Sequence, residues 1–146
     1  MKLKKIFILT LMSVLPYLSS FAQNADAVLG MWESEHGSGR IQIHKSGDIY
    51  EGKLIWLKDE NDSAGKPLVD INNPSETLRT RPVKGLEVLS GFRYSDASWD
   101  GGTVYDPKSG KKYSCKLSIN GDGQLEIRAF MGISLIGKTQ LWSRVK

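Results

Sequence analysis

From about residue 29 onward, apolar and polar positions alternate with a period of two, broken at short intervals by Gly, Asn and Asp. This is the pattern of half-buried antiparallel strands joined by tight turns. A first strand is expected from Leu29 to Glu35 and a second from Arg40 to Lys45, with Ile41 and Ile43 on one face and Arg40, Gln42 and His44 on the other. A third, Ile49 to Leu57, puts Tyr50, Leu54 and Trp56 on one side and Glu51 and Lys53 on the other. Strands resume at Leu86 to Tyr94, near Trp99 to Asp106, at Lys112 to Ile119, from Leu125, and from about Ser134 to Val145. Gly101-Gly102 marks a bulge, and Asn120-Gly121-Asp122-Gly123 is the strongest hairpin signal in the chain. The expected fold is all-β: about eight antiparallel strands in sequence order, closed as an up-and-down barrel. Closure removes free strand edges, so a monomer is expected. No convincing helical stretch is expected after the first 22 residues.

Between strands three and four the alternation stops. Residues 58–85 are rich in Asp, Asn, Pro, Lys and Arg, and a loop of this length in a compact domain is often functional. Asn73-Pro74-Ser75-Glu76 resembles a helix start, with Asn73 as cap and Pro74 in the first position.

The beginning of the chain follows a different pattern. Three lysines lie within Met1 to Lys5, Ile6 to Leu15 is nearly all apolar, and Ser20 and Ala22 flank Phe21. These are the n-region, h-region and cleavage site of a secretory signal. Residues 1–22 are therefore expected to be a signal peptide and 23–146 a single barrel domain, periplasmic or extracellular. The apolar run is too short to span a membrane, and Pro16 interrupts it, so no membrane span is expected after cleavage.

Cleavage changes the charge. The full chain carries 20 basic and 16 acidic residues, a net of +4; without Lys2, Lys4 and Lys5 the count is 17 against 16, a net of +1. That balance gives no concentrated basic face, and a nucleic-acid partner is not expected. With a single cysteine, Cys115, no intramolecular disulfide is possible.

Short segments along the mature chain carry a resemblance. They are Gly30-Met31-Trp32, Gly65-Lys66-Pro67, Asp70-Ile71-Asn72-Asn73-Pro74, Leu78-Arg79-Thr80-Arg81-Pro82, Gly85-Leu86, Gly101 to Pro107, Gly110-Lys111-Lys112-Tyr113, and Gly137 to Arg144. Together they resemble the bacterial secreted domain-of-unknown-function family 2147. A Gly-x-Trp on the first strand, with an Arg near the end of the last, is similar to the closing signature of lipocalin-like barrels. The resemblance implies a calycin-like barrel sealed at one end by Trp32, Trp142 and Arg144, with the guanidinium packed across the indole. It brings no established activity, ligand or catalytic residue.

Candidate chemistry is sparse. Asp59, Asn61, Ser63 and Asp70 match positions 1, 3, 5 and 12 of a calcium loop, but Ala64 stands where Gly is needed and Asp70 where the longer Glu is usual. His36 and His44, the only two histidines, and Cys115 lack the paired spacings of a zinc site. No metal and no cofactor are expected. No serine sits in a nucleophile elbow, and Cys115 alternates with Tyr113 and Leu117 as a core residue would. Catalytic residues are not identified, and binding is favoured over catalysis.

Two roles stay open for the polar residues of the long loop. Asp70, Asn72 and Asn73 can tie the loop's own backbone, with Arg79 or Arg81 pairing to Asp70. Alternatively, Arg79 and Arg81 can grip an acidic group at the barrel mouth. The entropy of ordering so long a segment favours internal ties. Tyr50, Trp56, Phe92, Tyr94, Tyr105 and Tyr113 occupy strand positions able to line an interior. The leading expectation is a binder of a small apolar or amphipathic ligand, with Arg79, Arg81 or Tyr105 at its polar head. The alternative is a filled barrel that docks a macromolecular partner of the cell envelope through loop 58–85.

Overall fold

The computed structural model describes residues 24–133 and 137–146. The expected signal peptide lies outside these residues, as does the expected start of the last strand at Ser134. Among the described residues, no helix is long and apolar enough to cross a membrane.

Eight antiparallel strands form a closed barrel in sequence order. They are β1 (Gly30–Ser34), β2 (Gly39–Ser46), β3 (Ile49–Leu57), β4 (Glu87–Ser95), β5 (Ser98–Asp106), β6 (Lys111–Ile119), β7 (Leu125–Phe130) and β8 (Gly137–Arg144). The barrel closes where β1 pairs with β8, Trp32 opposite Arg144 and Ser34 opposite Trp142. Turn chemistry sets the connections. In the β6–β7 hairpin, Asn120 Oδ1 accepts from the backbone N–H groups of Asp122 and Gln124, the local tie expected of an Asn at a turn.

Because the strands alternate in direction, the connections alternate between two ends. A short 3-10 turn, Ala25–Val28, precedes β1 at one end and is capped by Asn24. So short an element carries no periodic signal. The long β3–β4 connection lies at the other end. It contains a 3-10 turn over Glu76–Leu78 and two isolated bridges, Asn61 to Pro67 and Val69 to Pro82. The turn begins later than expected. Ser75 takes the N-cap position, and Asn73 Oδ1 instead accepts from the Ser75 N–H.

Trp32, Ile41, Ile43, Tyr50, Phe92, Trp99, Leu117 and Leu125 point inward, and each is at most 2% exposed. Side chains enclosed to that degree fill that part of the interior. Phe92 takes the space opposite Gly102, where an added Cβ would stand 2.5 Å from its ring. Val104 and Tyr113, opposite each other on β5 and β6, are only half-buried and mark the looser part of the interior.

Bulges correct one face assignment. Arg40 pairs with Trp56 and Ile41 with Leu54, so one extra β3 residue intervenes. A bulge of this kind shifts the alternation. Trp56 therefore leaves the face of Tyr50 and Leu54 and stands outside, its ring 4.9 Å from the Arg40 guanidinium.

Candidate functional site

The end bearing the Ala25–Val28 turn is sealed. Trp32 is fully buried, and its Nε1 donates to the Val28 carbonyl at 2.9 Å. The Arg144 guanidinium lies 4.2 Å from the Trp32 ring and donates to the carbonyls of Leu29 and Ala27. Trp99 Nε1 donates to the Ala25 carbonyl at 2.9 Å. The Tyr50 hydroxyl donates to Asp26 at 2.6 Å, with Lys45 3.2 Å from the same oxygen. The Tyr50 bond, then Lys45, holds the Asp26 carboxyl below its ordinary value. Trp142 packs inside the wall, its Nε1 donating to Gln140 at 3.2 Å. A shallow cleft of about 330 Å³ beside this seal is bordered by Lys45, Asp48, Tyr50, Arg93 and Tyr94.

At the opposite end, the long connection is organised around one carboxylate. Asp70 is fully buried. Its Oδ1 accepts from the Tyr105 hydroxyl at 2.6 Å, and its Oδ2 accepts from Asn73 Nδ2 at 2.8 Å and Arg81 Nε at 3.0 Å. Arg81 Nη2 lies 2.9 Å from the same oxygen, completing a two-pronged ion pair. The backbone adds a further tie, from Asp70 N–H to the Arg81 carbonyl at 2.9 Å. Burial alone would raise the Asp70 carboxyl. The hydrogen bonds from Tyr105, Asn73 and Arg81 outweigh it and hold the group below its ordinary value. Arg79 Nε donates to the Asn73 carbonyl at 2.9 Å, and Asn72 Nδ2 donates to the Lys108 carbonyl at 2.8 Å. The Asn72 bond pins the connection to the β5–β6 turn. Gly110 there has a φ of 68°, and a Cβ would collide with the Asn72 carbonyl, so both conformation and space demand glycine.

This order leaves a cleft of about 440 Å³ between the connection and the barrel wall. Pro74, Leu78 and Arg81 form one side. Ser90, Thr103, Tyr105 and Lys112 form the other, and Glu87 stands at its edge. Ser90 pairs with Thr103, and Tyr105 with Lys112. These positions alternate with the inward-facing Gly102, Val104 and Cys115, so the cleft lies on the outer surface of β4–β6. Burial, then the adjacent Glu51 carboxylate, raises the Glu87 carboxyl above its ordinary value. Within the wall, burial pushes the Cys115 thiol up to about 12, which leaves it protonated and unreactive at neutral pH.

The residues singled out from the sequence are thus divided. Arg81 and Tyr105 meet at Asp70 and border the outer cleft; Tyr105 stands on the outside of the barrel, where alternation had placed it among interior positions. Arg79 is engaged by the loop backbone. Phe92 and Tyr50 are buried in the packed core, and Tyr94 stacks near Trp99 with ring centroids 5.2 Å apart, toward the sealed end. Tyr113 faces the looser interior. The sequence reading missed Ser90, Thr103 and Lys112. A signal was present: Tyr105 and Lys112 flank the 106–111 turn, which makes them cross-strand neighbours on the outer face.

A family model described as an uncharacterized protein conserved in bacteria (DUF2147) matches residues 30–144. Protein HP1028 from the human pathogen Helicobacter pylori, which belongs to the lipocalin family, has a similar structure. The two are 23% identical, with a TM-score of 0.70 over 81% of this chain and 82% of that one. At that identity the likeness shows the fold: a lipocalin-like, closed eight-strand barrel. No curated protein matches the chain. A match across nearly all of the barrel makes the chain a member of the DUF2147 family of uncharacterized bacterial proteins.

Proposed function

We propose that this is an exported binding protein for a small amphipathic molecule with an acidic head, taken up in the outer cleft between residues 73–81 and the β4–β6 wall. The observation that carries the reading is the buried Asp70, which fixes Arg81, Tyr105 and Asn73 before any ligand arrives. Such preorganisation lowers the ordering cost of binding. Lys112 and the free edge of Arg81 supply positive charge for a carboxylate or phosphate, and Pro74 and Leu78 supply apolar surface. The packed part of the interior argues against the barrel core as the pocket, because Trp32, Tyr50, Phe92 and Trp99 have almost no exposed surface to offer. The three-part start of the sequence supports export to the periplasm or beyond.

Equilibrium dialysis with decyl phosphate tests the reading. Binding is expected to be saturable, to weaken at least about tenfold in Lys112→Glu, since each 1.4 kcal/mol is a factor of ten, and to be unchanged in Lys45→Glu at the sealed end. Equal loss in both variants, or no binding by the parent protein, would overturn it.

A second reading, docking of an envelope macromolecule through the same connection, is favoured by Ile71, which is 63% exposed on it. That reading expects Ile71→Asp to abolish partner capture while decyl phosphate binding is retained.

A further inference from the structure

On the outer face of β2–β4, a second cluster stands apart from the Asp70 network. His44 on β2 lies directly opposite Glu51 on β3. Glu87 on β4 is paired with Lys53, two residues further along β3. The register shifts between Gly52 and Lys53, where Gly52 faces Leu89 but Lys53 faces Glu87. This bulge swings Glu87 toward the other two. The donor atoms of His44, Glu51 and Glu87 all lie within 4.8 Å of one another.

One polar atom of the cluster has no hydrogen-bond partner among the described residues. Glu87 Oε1 is buried and accepts no hydrogen bond. His44 Nε2 is only 3.5 Å away, yet does not donate to it. A buried acceptor without a partner is costly, and two crowded carboxylates repel each other. One cation between the three groups relieves both. Zinc–nitrogen and zinc–oxygen bonds of about 2.0–2.2 Å, at tetrahedral angles, separate neighbouring ligand atoms by roughly 3.3–3.6 Å. The observed Nε2 to Oε1 separation of 3.5 Å falls in that range.

The geometry points to a divalent metal site formed by His44 Nε2 and the carboxylates of Glu51 and Glu87. An imidazole among the ligands favours a zinc-class ion over magnesium or calcium, which prefer all-oxygen shells. Three protein ligands leave a fourth position for water, the arrangement of an open rather than a structural site. Neither the histidine and cysteine spacings nor the calcium-loop template in the sequence reaches this cluster, because three separate strands contribute its ligands.

Titration calorimetry of the metal-stripped, untagged protein with zinc chloride tests the site. One equivalent is expected to bind. Affinity should fall more than about tenfold in Glu87→Gln and in His44→Gln, since loss of even an outer partner of a ligand costs ten- to a hundredfold. His36→Gln, which changes the other histidine, and Cys115→Ser should bind as the parent does. Cobalt should give visible absorption bands that vanish in Glu87→Gln. Both cluster variants are near-isosteric changes on the outer face, and circular dichroism verifies that each folds. Absence of zinc binding, or binding unaffected by both cluster variants, would overturn the assignment. So would an equal loss in His36→Gln.

Discussion

The Tyr105 hydroxyl donates to the fully buried Asp70 carboxylate at 2.6 Å and so fastens the β3–β4 connection to the outside of the barrel. The same carboxylate holds Arg81 and Asn73. A single residue therefore joins one wall of the outer cleft, at Arg81 and Asn73, to the other, at Tyr105.

Removing that carboxylate should loosen the connection more than the barrel. Asp70→Ala is expected to cost about 3 kcal/mol, at the low end for breaking a buried ion pair because Arg81 itself remains partly solvated. Tyr105→Phe removes one charge-assisted hydrogen bond and should cost about 1.5–2 kcal/mol. Urea unfolding measures both. Hydrogen exchange should show amide protection lost at Asn73 and Arg81 while Leu117 and Ile127 stay protected.

The pH dependence follows from the same group. Folding holds the Asp70 carboxyl below its ordinary value of 3.8. A depressed folded value stabilises the native state above the unfolded value, and the contribution is lost as pH falls through the folded one. The stability gap between the parent protein and Asp70→Asn should be constant near neutrality and narrow progressively below pH 3.8. Urea midpoints measured across that range check the sign. A gap that widens on acidification would contradict it.

At the sealed end, Arg144 stacks on Trp32 and satisfies the Ala27 and Leu29 carbonyls. Arg144→Ala should cost about 1–2 kcal/mol, from a partly exposed cation–π contact and its hydrogen bonds. Arg144→Lys should recover little, since an ammonium is not a planar fork. Thermal unfolding reads the cost, and a red shift in tryptophan emission should accompany both changes.

Inside the barrel, Gly102 makes room for the Phe92 ring. Gly102→Ala should cost about 1–3 kcal/mol through overpacking. Adding Phe92→Leu should recover part of the loss, and calorimetric unfolding of the single and double variants measures the coupling. Additive losses would mean that the two positions do not share the space.

Period-two alternation made the barrel legible because each strand has one core face, and the short turns carry Gly, Asn and Asp where tight reversals need them. β3 over Ile49–Leu57 matches its expected limits, whereas the expected start of β1 at Leu29 and end at Glu35 lie beyond the observed Gly30–Ser34. Trp56 shows where alternation fails. One bulged residue reverses every face beyond it, and no local signal in Lys53-Leu54-Ile55-Trp56 announces the extra residue. The ties of Asp70 to Arg81 and Asn73 were within reach of the sequence because they are local. Its tie to Tyr105 was not, since it joins residues 35 positions apart across the wall. The cleft was hidden for the same reason: one of its walls consists of outward-facing polar positions, which alternation assigns to solvent.

The most direct test of the outer-cleft account is a nitrogen–proton correlation titration of the protein with decyl phosphate. The account predicts progressive shifts at the amides of Leu78, Arg81, Ser90, Thr103 and Lys112, with Leu117, Leu125 and Ile127 unmoved. Shifts concentrated at Val104, Tyr113 and Ala129, which face the interior, would put the ligand inside the barrel and contradict it.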